Sequence, residues 1–491
     1  TILMVATASA THSKRHRASK IYVFGIGGTG SRVLRSLTML LASGVDAGGA
    51  TIVPIVIDPD QQAANYTETN TLLKKYLTVR KSLNFGKGIE NKFFRTEIKQ
   101  QVTDFRMPLN ANVYDRNFEE YLKLSEQTNA NKALMRVLFS EQNLESTMEV
   151  GFKGNPNIGS VVLNQFQGSQ QFIEFATGFQ QDDRIFIVSS IFGGTGASGF
   201  PLLLKTLRTD KELPNSDYIN NAIMGAITVL PYFGVKPDDK SEIDSTTFIG
   251  KAKSALSYYD RTISRENMLD YFYYIADSVT ENYENHEGGG EQKNPAHQVE
   301  LWAALAIVDF AKKANTTHTP DTRTTHKEFG IASASTPITF NDLAPYTKSL
   351  ISKPLTQLAL FDRFMENRLF DDLHQPQPWV KDHGLDIDFI NGDFACAVKD
   401  LLKNYRAWLK ELAENNRHFA PFEFSDPDPI NIIRGGNVKY GFFGNKHFDA
   451  FTAELNNATK GVDRAYSKEQ KMMEFFYKAT KELVDNKIKF S

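Results

Sequence analysis

Apolar residues are arranged in two regimes along the chain. From about residue 20 to 310 they form short unbroken runs: "IYVFGI", "ATIVPIVID", "DDRIFIVSSI", "AIMGAITVLPYF" and "DYFYYIAD". Runs this short, rich in β-branched and aromatic residues, predict strands buried on both faces, as in a parallel sheet. Between them the period changes to three or four. In "SRVLRSLTMLLASG" Val33, Leu34, Leu37, Leu40 and Leu41 share one helical face, and Gly44 supplies the stop signal. "NPAHQVELWAALAIVDFAKK" is apolar on nearly every side in its second half, which predicts a helix inside the protein. Beyond about residue 350, "LTQLALFDRFMENRLFDDL", "CAVKDLLKNYRAWLKELAENN" and "YSKEQKMMEFFYKATKELVDNKI" are amphipathic helical patterns.

Strand, glycine loop, helix, strand opens an α/β fold with an open parallel sheet flanked by helices, whose ligands collect beyond the carboxyl ends of the strands. We expect a basic arm over 1–19, a nucleotide-binding domain over 20–310 and a second domain with a mainly helical C-terminal region over 311–491. Residues 66–150 are polar and mostly helical in pattern, and are expected to form an inserted layer.

The composition narrows the choice of partner. With 491 residues the chain has room for two or three domains. A net charge of -2 gives no electrostatic reason to expect nucleic acid. No run nears the roughly 18 apolar residues of a membrane span. The single cysteine, Cys396, excludes a disulfide framework and a cysteine-rich zinc site, and suits a reducing, cytoplasmic setting. Lys14, Arg15, His16 and Arg17 follow a short apolar stretch, the reverse of a secretory signal, and read as a solvated tail.

Two glycine loops carry the candidate chemistry. "GIGGTG" satisfies G-x-G-x-x-G at Gly25, Gly27 and Gly30, and Asp58 ends the next strand. "GGTGASG", Gly193 to Gly199, again follows a buried strand and precedes a helix. Glycine lets a phosphate approach the backbone, and the helix that follows offers unpaired amides with partial positive charge. One such loop is satisfied by a dinucleotide fold. Two at one sheet edge suit a polyphosphate gripped from both sides.

With these loops in place the sequence resembles the tubulin and FtsZ superfamily of GTPases, as a divergent bacterial tubulin-like branch. "FGIGGTGSRVL" is similar to that family's opening glycine loop, "IDPDQQAA" to its "NTDAQAL"-type loop, "GFKGNPNIG" to "GAGANPEVG", and "GGTGASG" to the signature "GGGTGTG". The resemblance covers about residues 20 to 310. It implies a GTP/GDP site made of Gly25, Gly27, Gly28, Thr29, Gly30, Ser31, Asp60, Gln62, Asn155, Gly159, Gly193, Gly194, Thr195, Gly196 and Ser198, with Mg2+ near Asp60. It also implies that Pro231, in "ITVLPYF", lies near the ribose and that Asn294 reads the base, while His297 is assigned to capping or packing. The chain departs from the family at Phe192, which stands at the signature's first glycine, and at Ser31 and Arg32 in the first loop.

No lysine of a G-x-x-x-x-G-K-[ST] loop is present, so amides and hydroxyls must hold the phosphates. The resemblance further implies head-to-tail self-assembly into a homo-oligomer or filament, with hydrolysis completed by an acidic residue of the next subunit. Asp309, Asp321 and Asp342 are the candidates for that role. Two other classes fit the same loops: a Rossmann-type NAD-dependent or E1-like adenylating enzyme, and a non-hydrolysing nucleotide-bound scaffold whose C-terminal helices meet another protein.

Overall fold

The computed structural model describes residues 18–60, 63–108, 116–146, 156–164, 168–236, 245–284, 293–313, 317–328, 331, 335–375, 377–440 and 446–490. The apolar runs form the strands. They are β1 (Lys20–Ile26), β2 (Thr51–Ile57), β3 (Arg106–Met107), β4 (Arg184–Ser190), β5 (Met224–Val229), β6 (Tyr271–Ile275) and β7 (Thr325–Glu328). They lie in the order β3-β2-β1-β4-β5-β6-β7, with every pairing parallel. β1, β2, β4 and β5 are buried along their whole length, which is why their sequences do not alternate.

Helices cover both faces. α1 (Gly27–Ala42) and α2 (Ala64–Lys81) follow β1 and β2. α3 (Gln170–Gly178) packs Phe175 against Tyr22 and Phe24 of β1 on the other face, at ring-centroid distances of 5.0 and 5.1 Å. α4 (Gly194–Thr209) and α5 (Phe248–Tyr259) share that face, where Phe200 and Tyr259 meet Phe272 of β6. α6 (Gln298–Ala311) is buried on every side, and its Phe310 packs on Phe186 of β4. The pattern of this helix alone announced that position.

Residues 66–150 do more than form a layer. They complete α2, and at Arg106–Met107 they return to the sheet as its edge strand. Two residues are too few to show a period. The opposite edge, β7, reads "THKE"; it is polar because three of its four residues are exposed.

The C-terminal region is built from α7 (Pro345–Asn367), α8 (Asp393–Glu414), α9 (His447–Ala458) and α10 (Lys468–Glu482). Phe361 of α7 stacks on Phe476 of α10 at 4.1 Å, and on its other side meets Phe93 at 5.7 Å. Trp408 of α8 donates its indole N–H to Ser36 Oγ of α1 at 3.2 Å. The apolar core therefore continues across residues 311–350 into the sheet layers. A charged tie reinforces it: Glu474 of α10, 1% exposed, accepts the amides of Glu90 and Asn91 at 3.0 and 2.9 Å.

Glu474→Ala strands those two amides, so urea unfolding of the variant is expected to show a loss of about 2–4 kcal/mol. Glu474→Gln, which keeps one acceptor oxygen, is expected to lose less. A midpoint for Glu474→Ala equal to wild type would show that this tie does not hold α10 to the sheet domain.

Candidate functional site

Strands added after β1 spread outward on one side as β2 and β3, and strands from β4 onward spread on the other. The β1–β4 boundary is therefore the point where strand order reverses, the place beyond the strand ends where ligands of open α/β sheets bind. The register aligns Gly25 of β1 with Val188 of β4, so both chains leave the sheet at the same rim. α1 starts at Gly27 and α4 at Gly194, with Ile26 and Gly193 as extended N-cap residues. Neither helix has a side-chain cap or an acidic residue in its first turn. Their first-turn amides have no side-chain cap to accept from them.

The two turns touch. A Cβ built on Gly27, whose φ is +68°, would lie 3.4 Å from Thr195 Cβ and 3.9 Å from the Gly196 nitrogen. Gly30 and Gly196 are required for other reasons: a Cβ on Gly30 would stand 2.3 Å from the Gly25 carbonyl carbon, and one on Gly196 would stand 2.6 Å from the Ser190 oxygen. Thr29 and Ser31 are buried beside these turns, and Ser31 Oγ has no partner. Ser198 turns its hydroxyl inward and donates to the Gly194 carbonyl at 2.6 Å. Phe192 takes the signature's first glycine position because its ring packs among Tyr232, Phe233 and Phe248.

Asp58 and Asp60 lie beyond the end of β2, 6% and 4% exposed, and Asp58 Oδ1 accepts the Asp60 amide at 3.0 Å. Burial lifts the Asp58 carboxyl to about 7; the Asp60 amide and Arg106 pull it down, and the Asp60 charge pushes it up. Among the described residues no group of three or more His, Cys, Asp or Glu side chains is arranged to hold a metal. Two buried carboxylates nevertheless suit Mg2+, which keeps waters and phosphate oxygens as its other ligands. Gly159 lies in the short helix Pro156–Leu163, whose Leu163 packs beside Gly199 and Ile26. Gln62 and Asn155 lie outside the described residues.

Pro231 follows β5 and is half-buried. Asn294, also half-buried, precedes the start of α6 by four residues, and the N-cap is His297 instead. His297 Nδ1 accepts the Val299 amide at 3.1 Å, its own amide donates to Glu300 Oε2 at 3.0 Å, and its Nε2 is buried with no partner. Burial brings the His297 pKa down to about 4, with Arg32 and Arg417 adding to the effect and Asp277 opposing it.

A buried cluster absent from the sequence reading joins this cap to α1. Arg32 Nε donates to Glu300 Oε1 at 2.5 Å and Nη2 to the Tyr232 hydroxyl at 3.0 Å, while Tyr232 donates to the same Glu300 oxygen at 2.7 Å. Desolvation works against the Arg32 charge, but Tyr232 and Glu300 outweigh it and hold the guanidinium charged. One turn on, Arg35 binds both oxygens of Glu411 on α8, at 2.6 and 3.0 Å, and Glu411 also accepts the Ala296 amide at 2.7 Å. The signal available in the sequence was the spacing of Arg32 and Arg35 on α1; Tyr232, Glu300 and Glu411 lie 200, 268 and 376 residues away from the arginines they meet.

The three acidic candidates stand apart from these loops. α6 runs from the rim to the amino ends of the strands, where Arg184 at the start of β4 donates to the Phe310 and Ala311 carbonyls at 3.2 and 3.0 Å. Asp309, 4% exposed, accepts from Tyr273 at 2.8 Å and Lys327 at 2.9 Å. Asp342 caps its own turn by accepting the amide and hydroxyl of Thr339, both at 2.8 Å. Asp321 is exposed in the turn between α6 and β7 and makes no hydrogen bond or ion pair among the described residues.

No protein-family model matches the chain, and no curated protein matches it. Among solved structures it is similar to CetZ2 from Haloferax volcanii, described as a GTPgS-bound protofilament, at 13% identity over 60% of this chain and 58% of that one, with a TM-score of 0.29. It is similar to CetZ1 from Haloferax volcanii, a GDP-bound monomer, at 13% identity over 59% and 58%, TM-score 0.29. It is also similar to an empty FtsZ dimer from M. jannaschii at 16% identity over 61% and 55%, TM-score 0.27. The chain thus spans between 55% and 58% of the length of these three proteins.

Gly30→Ala drives a methyl group into the Gly25 backbone, so it is expected to lower the thermal midpoint by several degrees or prevent folding. A variant as stable as wild type would contradict the close packing of loop on strand. For His297 the folded pKa lies below the unfolded value of 6.5, so the unfolded chain takes up a proton that the folded one refuses. Its contribution to stability is complete above pH 6.5 and is lost as pH falls toward 4, by up to roughly 3 kcal/mol. His297→Gln is expected to lose less stability than wild type between pH 7.5 and 4.5 in urea titrations, and an unchanged difference would show that His297 is not buried neutral.

Proposed function

We propose that this chain is a tubulin/FtsZ-like nucleotide-binding protein that holds a guanosine di- or triphosphate across the β1–β4 boundary. The observation that carries this reading is the contact of Gly27 with Thr195: two uncapped helix N-termini converge on one crevice. A dinucleotide fold shares the strand order 3-2-1-4-5, so topology alone does not choose between them. The second glycine turn supports a nucleotide polyphosphate held from both sides, since a dinucleotide fold needs only one such turn.

In this reading the amides of Gly27, Gly28, Thr29 and Gly30 face one side of the polyphosphate and those of Gly194, Thr195 and Gly196 the other. Asp60, with Asp58 beside it, would hold Mg2+, which supplies further neutralisation of the phosphate charge. Pro231 and Asn294 are assigned to the nucleoside end. Asp309 and Asp321 belong to the opposite end of α6, so they reach a polyphosphate only in another copy of the chain. That polarity supports head-to-tail self-association with hydrolysis completed across the interface. Asp321, exposed and unpaired, is the candidate best placed for it; Asp309 is committed to Tyr273 and Lys327.

Two measurements test the reading. Nucleotide released from the purified protein by denaturation is expected to be GDP or GTP, and added GTP to bind in preference to ATP and NAD; preference for NAD or ATP would assign the crevice to a Rossmann-type enzyme. Phosphate release per molecule is expected to rise with protein concentration, and Asp321→Ala to remove that rise while leaving GTP binding intact. Turnover independent of concentration would remove the trans mechanism, and binding without any release would leave a nucleotide-held scaffold.

A further inference from the structure

Arg32 stands four residues after Gly28 on α1, and a helical side chain at that spacing leans back over the first turn. Its Nε is taken by Glu300, and its Nη2 by Tyr232 and, at 3.4 Å, by Thr29 Oγ1. Among the described residues Nη1 donates to no protein atom, and it lies 3.4 Å from the point where a Cβ on Gly28 would stand. Asn65, in the first turn of α2, brings its Nδ2 to the same distance from the same point. Asn65 is 4% exposed, its side chain makes no hydrogen bond among the described residues, and its Oδ1 is buried without a partner there. α2 also lacks a side-chain cap and an acidic residue in its first turn. A buried polar group without a partner is costly in a folded protein and calls for a bound group, an ion or a water beside it.

We propose that Arg32 Nη1 and Asn65 Nδ2 together grip an anionic oxygen of the bound polyphosphate above Gly28. The inference rests on the nucleotide reading and adds to it a fixed cation in the crevice. Arginine keeps its charge when buried and presents its donors in a rigid plane. Glu300 and Tyr232 hold that plane from behind and leave one nitrogen facing the first turn of α1. The chain thereby supplies from within α1 a positive charge that a P-loop would take from its lysine. Because the same guanidinium carries Glu300, whose other oxygen caps α6, phosphate contact and the start of α6 share one side chain.

The decisive variant is Asn65→Ala, which breaks no hydrogen bond within the protein. It is expected to unfold at a urea concentration no lower than wild type, yet to bind a fluorescent GTP analogue about tenfold or more weakly. Arg32→Met combined with Glu300→Gln removes the ion pair without leaving a buried charge. With its circular dichroism spectrum unchanged, that variant is expected to lose about 10–100-fold in GTP affinity. Competition by guanosine should be the same for wild type and Asn65→Ala, and competition by inorganic tripolyphosphate should be weaker for the variant. Folded Asn65→Ala that binds GTP and tripolyphosphate within twofold of wild type overturns the proposal while the nucleotide reading stands. Tripolyphosphate binding that depends on Asn65, without any preference for guanine, supports the proposal and overturns the guanosine assignment.

Discussion

Two helix N-termini that no side chain among the described residues caps meet at one point of the sheet rim. Unpaired backbone amides are costly to bury, and helices normally satisfy theirs with a serine, threonine, aspartate or asparagine cap. Here the N-cap positions are Ile26 and Gly193, and the first turns are mostly glycine, threonine and alanine. Most of the surrounding structure follows from bringing these turns together. Gly30 and Gly196 let each helix start against its own strand, and Gly199 lets Ile26 and Leu163 close in below. Phe192, the substitution that looked most damaging to a phosphate loop, fills an aromatic layer with Tyr232, Phe233 and Phe248.

The helix that carries the first turn is tied to the rest of the molecule by charge. Arg32 joins it to the start of α6 through Glu300, and Arg35 joins it to α8 through Glu411, which also holds the Ala296 amide. The residues just before α6 are therefore gripped from α1 and α8 together. Replacing one partner of such a pair leaves the other charge buried, which makes these ties hard to lose singly. At its far end α6 is held by Arg184 through the Phe310 and Ala311 carbonyls. α6 is thus fixed at both ends of the sheet, and it sets the distance between the glycine rim and the acidic turn that carries Asp321.

How much of this was legible in the sequence depended on the kind of signal. β1, β2, β4 and β5 were readable because full burial makes a strand an unbroken apolar run, and β6 because its buried and half-buried positions are all aromatic or aliphatic. α6 was readable because it is apolar all round. The edge strands were not: β3 is two residues long, and β7 is polar where it faces solvent. Both glycine loops could be placed at one rim, since each follows a buried strand and precedes a helix. Their approach was the expectation of a polyphosphate gripped from both sides, and the pairing of β1 with β4 brings the two turns together. The cap of α6 was legible in part: His297, expected to cap or pack, takes the N-cap, and Glu300 three residues on completes a capping box. Arg32, Asn65, Tyr232 and Glu300 were missed because they meet only in three dimensions.

The central claim is that both turns hold one ligand, and amide hydrogen exchange with and without GTP and Mg2+ tests it most directly. The account predicts that the amides of Gly27–Gly30 and of Gly194–Gly196 slow together on adding nucleotide, over the same concentration range. Protection of the first turn alone, with the second exchanging as before, would contradict it.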